Sequence, residues 1–134
     1  GLAWPERVPG SARACDWTAP TAWEFFPLDE TAFPAVRLAR QAGEHGRTAP
    51  AVLNAANEVC VDAFVAGELD FLGIVDTVGA VLAEHLDDPD VAHADLTLDL
   101  VLEADTRARD RARALVEEAH MRSNTVTAPH GPRA

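Results

Sequence analysis

The sequence contains no lysine, and all 11 of its basic residues are arginines. A chain without lysine forms no Schiff base with a carbonyl substrate, and it offers no ammonium group to a phosphate. Lysine-dependent catalysis by this chain alone is therefore excluded. The exclusive use of arginine, together with abundant alanine and aspartate, indicates a GC-rich bacterial genome.

Cysteine, methionine and long apolar runs are also scarce. Cys15 and Cys60 lie far apart without a CxxC motif, which favours reduced thiols and a cytoplasmic location. The longest apolar stretch, residues 71–83, contains an aspartate and is shorter than the roughly 20 residues of a membrane span. Residues 1–7 do not resemble a signal peptide. Since the single methionine is Met121, we expect the sequence to begin inside a longer reading frame.

Positive charge is in deficit, with a net charge of −11 and a pI of about 4.7. Such a chain repels phosphate backbones and anionic membrane surfaces, so neither nucleic acid nor membrane is an expected partner. The sequence also has no GxGxxG motif and no P-loop. What is present is ordinary for one folded domain: 134 residues, of which 48% are hydrophobic and 25% charged.

Helical periodicity predicts an all-α fold, a small four-helix bundle over residues 29–120. Residues 1–28 are expected to be an extended linker with a short strand at 21–26, and residues 121–134 a disordered tail. The predicted helices cover 31–42, 48–66, a segment after Asp70 that ends at His85, and a long segment that opens at Thr97. The apolar stripe of the first helix is expected to contain Phe33, Val36, Leu38 and Ala39.

Three polar residues, Asn54, Asn57 and Glu58, interrupt the alanine- and valine-rich second helix. Asparagine is a poor residue for a helix interior, so this polar run needs a tertiary reason. The favoured interpretation is structural: buried side chains that bond to the backbone of a neighbouring loop. In the alternative, Glu58 is a general base or a metal ligand, but its helix supplies no companion ligand at the required spacing.

Two charged clusters have simple interpretations. His85, Asp87, Asp88, Asp90, His93 and Asp95 do not match the spacing of a calcium-binding loop and indicate a solvated acidic loop, with a divalent metal site as the alternative. The alternating arginines at 107–113 suggest a basic patch. Helical geometry instead pairs Glu103 with Arg107 and Asp105 with Arg109, which predicts an exposed, salt-bridged face.

Several segments closely resemble the C-terminal region of bacterial deoxyxylulose-phosphate reductoisomerases. The most specific are Phe33–Ala39 followed by Gly43, and Thr48–Glu58, which reads TAPAVLNAANE. Residues 2–8 resemble the end of the family's central catalytic domain, 23–29 its linker, and 71–75 and 101–105 fall in register downstream. The resemblance extends to about His120.

This resemblance implies a parent enzyme that converts 1-deoxy-D-xylulose 5-phosphate to 2-C-methyl-D-erythritol 4-phosphate for isoprenoid biosynthesis. The parent uses NADPH and a divalent metal, Mg or Mn, and is expected to be a homodimer. The family's metal-binding triplet, phosphate-contacting lysine and dinucleotide fingerprint have no counterpart here, so no catalytic, cofactor-binding or metal residue is assigned. Partners implied for this piece are the nucleotide-binding and catalytic domains of the same enzyme.

Two hypotheses follow for the role of this chain. In the first, it is structural support for the parent enzyme, inactive alone, with Asn54, Asn57 and Glu58 supporting loops near the active site. In the second, it is a stand-alone helical interaction module derived from that domain. A third, new chemistry at Glu58, has little support in the sequence.

Overall fold

The computed structural model describes residues 5–6, 8–10, 14–89 and 95–126, with side chains described as far as residue 122. These residues contain four helices: α1 (Ala35–His45), α2 (Ala49–Ala66), α3 (Phe71–Leu86) and α4 (Leu98–Val126). Helix α2 is central, since it packs against α1, α3 and α4. The all-α bundle expected from the sequence is confirmed.

The linker contains no strand within its described residues, so the predicted strand at 21–26 is wrong. Its period-two pattern is nevertheless present, because the rings of Trp23 and Phe25 stack with centroids 6.4 Å apart. No neighbouring strand in the described part of the chain pairs with residues 21–26. A single strand without a partner leaves its backbone groups to water and forms no sheet.

Helix α1 begins at Ala35, four residues later than predicted. The side chain of Asp29 accepts the backbone N–H groups of Thr31 and Ala32, which forms a turn before the helix, and Pro34 occupies the N-cap. The predicted apolar stripe is also partly wrong: Leu38 is buried, whereas Phe33, Val36 and Ala39 are exposed. Ala42 provides the second buried position of α1.

Helices α2 and α3 begin and end where the sequence signals lie. Pro50 lies in the first turn of α2, and Gly67 ends the helix in the left-handed region with φ of +78°. Asp70 caps α3 by accepting the N–H of Gly73. A Cβ at Gly79 would lie 3.5 Å from Leu38 Cδ1, which is an ordinary van der Waals contact between α3 and α1 and does not require glycine there.

The core has two parts. The larger part lies between α2, α3 and α4 and uses small residues: Ala55, Ala56 and Cys60 of α2 cluster with an alanine stripe of α4. That stripe is Ala104, Ala108 and Ala112, at the four-residue spacing of one helix face. The smaller part consists of Leu38, Ala42, Ala49 and Leu82, and it attaches α1 to the other helices.

Helix α4 continues to Val126, six residues beyond the end predicted at residue 120. Residues 121–126 of the predicted tail are therefore helical, and residues 127–134 lie outside the described part of the chain. No helix in the described residues is long and apolar enough to cross a membrane.

Candidate functional site

The polar run of α2 lies on the surface of this chain: Asn54, Asn57 and Glu58 are all exposed. The expected burial is therefore wrong. The reason is the direction in which α2 packs, because Ala55, Ala56 and Cys60 of the same helix take the buried positions in the core shared with α3 and α4.

Asn54 and Glu58 bond to each other and not to a neighbouring loop. The Asn54 amide Nδ2 donates to Glu58 Oε1 at 2.9 Å, and Arg109 Nη2 of α4 donates to Glu58 Oε2 at 2.7 Å. Arg109 also donates from Nε to Asp105 Oδ2 at 2.8 Å and from Nη2 to Asp105 Oδ1 at 3.2 Å. We call these four residues the Glu58 network. It joins α2 to α4 through charge-assisted hydrogen bonds.

The Glu58 network fixes the carboxylate in its ionised form. Hydrogen bonds from Arg109 and Asn54, together with the charge of Arg109, lower the pKa of Glu58, although burial and the charge of Asp105 oppose this. A general base that works near neutral pH needs a raised carboxyl pKa. Because both Glu58 oxygens already accept hydrogen bonds, the structure favours a structural role over proton transfer.

An uncharged groove lies beside the Glu58 network, between α2 and α3. Its volume is about 350 Å³, and two carboxamides from the polar run stand at its edge. We call it the α2–α3 groove; it is lined by Ala35, Leu38, Pro50, Leu53, Asn54, Asn57, Ile74, Val75 and Val78.

A second polar contact joins the start of α2 to the end of α3. Thr48, which is 1% exposed, places its hydroxyl 2.9 Å from Nε2 of His85. Burial lowers the pKa of His85, the positive charges of Arg107 and His45 lower it further, and Asp88 acts in the opposite direction. His85 therefore tends to be neutral in the folded chain, and its ring nitrogen and the Thr48 hydroxyl share one hydrogen bond.

The acidic loop expected around His85 is only partly described, since Asp90 and His93 lie outside the described residues. Within the described residues, no three His, Cys, Asp or Glu side chains gather as a metal site. The described residues of this loop therefore give no support to the alternative of a divalent metal site.

The arginine face of α4 is only partly as predicted. The Asp105–Arg109 pair forms, but Glu103 and Arg107 make no ion pair with each other, and Arg107 lies instead near His85. Arg111 reaches across to α3, where its Nε and Nη2 donate to the two carboxylate oxygens of Glu84 at 2.7 Å each. Sequence spacing gives no signal for such pairs between helices.

The described residues thus define a helical domain: a bundle with cross-helix ion pairs and an open groove. Comparisons with known proteins identify the domain. The family model described as DXP reductoisomerase C-terminal domain matches residues 1–111. The chain belongs to this family.

Curated relatives carry the same family name. The chain is 59% identical over 115 residues to 1-deoxy-D-xylulose 5-phosphate reductoisomerase of Kitasatospora griseola and 55% identical over 120 residues to that of Cutibacterium acnes. These matches cover 86% and 84% of this chain, but only 29% and 30% of the relatives. The chain therefore spans less than a third of the length of the curated relatives it matches.

A solved structure has the same fold. The chain is similar to a crystal structure of DOX-P reductoisomerase in complex with NADPH, fosmidomycin and magnesium, with a TM-score of 0.68 and 31% identity. The similarity covers 87% of this chain and 29% of that one. The resemblance inferred from the Thr48–Glu58 segment is thereby confirmed at the level of family and fold.

Proposed function

We propose that this chain acts as the C-terminal helical domain of a reductoisomerase that converts 1-deoxy-D-xylulose 5-phosphate to 2-C-methyl-D-erythritol 4-phosphate. The observation that carries the proposal is the match of residues 1–111 to the C-terminal domain of this family. The fold similarity to about three tenths of a structure that contains NADPH and magnesium supports it.

The residues of this chain do not fit the groups that the reaction needs. The described residues bring no three metal ligands together, and the sequence has neither lysine nor a dinucleotide fingerprint. We therefore assign NADPH and the divalent metal to the other domains of the enzyme and derive no chemical step from this chain. Its own contribution is structural, and the polypeptide is inactive alone.

The Glu58 network supports this structural role. Arg109 of α4 donates a hydrogen bond to Glu58, and the amide of Asn54 donates to the same carboxylate. The side chain of Glu58, on the exposed face of α2, is therefore fixed by a contact with α4. Preorganised supporting side chains keep a site in its working geometry without entering the chemistry. Asn54, Asn57 and Glu58 act in this way, as supports for loops of the catalytic domain.

The assembly and location follow from the same proposal. The partners of this chain are the nucleotide-binding and catalytic domains of its own enzyme, which works as a homodimer in the cytoplasm. The two thiols fit a reducing compartment, since Cys15 is exposed and unpaired while Cys60 is buried.

A chimeric enzyme tests the proposal. The matched segment of the Kitasatospora griseola reductoisomerase is replaced by the corresponding residues of this chain, and oxidation of NADPH is followed with 1-deoxy-D-xylulose 5-phosphate as substrate. We expect the chimera to turn over substrate and the 134-residue chain alone to oxidise no NADPH. A chimera that folds, as shown by circular dichroism, but has no activity would contradict the proposal.

The open α2–α3 groove favours a second candidate, a stand-alone helical module that binds another protein, because exposed apolar surfaces commonly mark interaction sites. The genomic sequence upstream of the codon for Gly1 distinguishes the two. An in-frame nucleotide-binding and catalytic region supports the enzyme, whereas a start codon without such a region supports the module.

A further inference from the structure

The α2–α3 groove continues into a longer apolar stripe. Val61 and Phe64 follow Asn57 at spacings of four and seven residues, which places all three on one side of α2. Across from them, the ring of Phe71 at the start of α3 contacts Phe64 edge to face, with centroids 5.8 Å apart. Val61, Phe64 and Phe71 are 39%, 41% and 70% exposed, so this end of the stripe has no cover among the described residues.

Helix α1 covers only one end of this stripe. It has 11 residues, against 18 in α2 and 16 in α3. At a rise of 1.5 Å per residue, α1 is about 16 Å long and α2 about 27 Å. Since Ala35 and Leu38 of α1 line the groove, α1 reaches the Pro50 end and stops short of the Phe64–Phe71 end.

The charge of the stripe differs from that of the chain. The chain has a net charge of −11, yet none of the groove-lining residues is charged. Glu58, the carboxylate that bonds to the groove-lining Asn54, is paired with Arg109. An uncharged surface on a strongly acidic domain suits an apolar occupant and gives no attraction to a basic one.

The linker that precedes α1 also exposes apolar side chains. Trp23, Phe25 and Phe26 are between 75% and 84% exposed, and a turn at Asp29 separates them from α1, whose Ala35 lines the groove. The matched segment makes up 29% of the Kitasatospora griseola relative, so the larger part of that protein lies outside the match. The occupant that these observations favour is that larger part.

We infer that the α2–α3 groove and its extension to Phe64 and Phe71 form the docking surface for the preceding domains of the same polypeptide. The inference rests on the proposed function and names the surface through which the support acts. The occupant presents uncharged, mainly apolar side chains to the stripe, and Asn57 is covered when it is in place.

Thiol labelling tests this surface independently of catalysis. Asn57→Cys is introduced into a Cys15→Ser background, both in this chain alone and in the chimeric enzyme described above. The native Cys60 does not interfere, because burial raises the pKa of its thiol and slows its reaction. Thr106→Cys is the matched control, since Thr106 is exposed on α4 and does not line the groove.

We expect the thiol at position 57 to react with a maleimide at least about tenfold more slowly in the chimera than in the chain alone, and the thiol at position 106 to react equally in both. Equal rates at position 57 would overturn the inference. Val61→Cys serves as the second reporter if the Asn57 variant of the chimera does not fold.

The other combinations of activity and thiol protection distinguish the docking surface from the proposed function. An inactive but folded chimera with a protected position 57 contradicts the proposed function and supports the docking surface, whereas an active chimera with an unprotected position 57 does the reverse. If position 57 is already protected in the chain alone, and increasingly so at higher protein concentration, a second copy is the occupant and the inference is wrong.

Discussion

Leu82 is the side chain on which the attachment of α1 depends most. It is 1% exposed and packs with Leu38, Ala42 and Ala49, with Leu53, Val75 and Leu86 around them. Leu82→Ala removes three buried carbon atoms, which costs about 2.4 kcal/mol at about 0.8 kcal/mol for each. The remaining cavity adds about 1 kcal/mol, so the free energy of unfolding falls by about 3 to 4 kcal/mol.

Thermal and urea denaturation of the 134-residue chain, followed by circular dichroism, measure this loss. At about 4 °C for each kcal/mol, Tm falls by roughly 12 to 16 °C. Leu72→Ala is the control, because it is the same substitution on the same helix at a side chain that is 67% exposed, and it costs less than about 0.5 kcal/mol. Equal losses for the two variants would refute the assignment of Leu82 to the core.

Two further predictions concern a helix end and a histidine. Gly67→Ala forces a side chain into φ of +78° and lowers the free energy of unfolding by about 1 kcal/mol. Gly43→Ala places a Cβ inside α1, where it has open space, and raises the free energy of unfolding by about 0.5 to 1 kcal/mol. Urea denaturation of the two variants measures these opposite changes. Because the pKa of His85 is lower in the folded chain than its ordinary 6.5, stability is full above pH 6.5 and decreases as the pH falls through 6.5 toward the folded value. His85→Gln removes this decrease between pH 7 and 5.5, and an unchanged decrease would assign it to other groups.

Local signals predicted most of the helix boundaries. Gly67 ends α2 and Asp70 caps α3 because each acts through its own backbone or through atoms three residues away. The start of α1 was predicted too early, because Asp29 supplies a turn there and not a cap. The six extra residues of α4 escaped prediction because the polar residues that follow Met121 favour a tail, yet the helix continues to Val126.

Contacts between helices could not be predicted from spacing. Glu58 and Arg109 are 51 residues apart, and Glu84 and Arg111 are 27 apart. Thr48 occupies the N-cap of α2, yet its hydroxyl makes no capping bond and lies against His85 instead. Only the packing of α3 and α4 on α2 brings these groups together, and a single sequence does not contain that packing explicitly.

The polar run shows why identification and function needed different information. Its residues identified the family through their order along the chain, which requires no knowledge of which way they face. Their role depends on the direction in which they face: α2 buries Ala55 and Ala56 in the core, which leaves Asn54 and Asn57 lining the groove and Glu58 within reach of Arg109. Ion pairs with α4 engage Glu58 and Glu84, and the residues that line the α2–α3 groove are uncharged. A surface of that kind is suited to holding another part of a protein and not to binding an anionic substrate, which needs cationic groups free to reach it. This surface supports the proposal that the domain holds the other domains of a reductoisomerase in place.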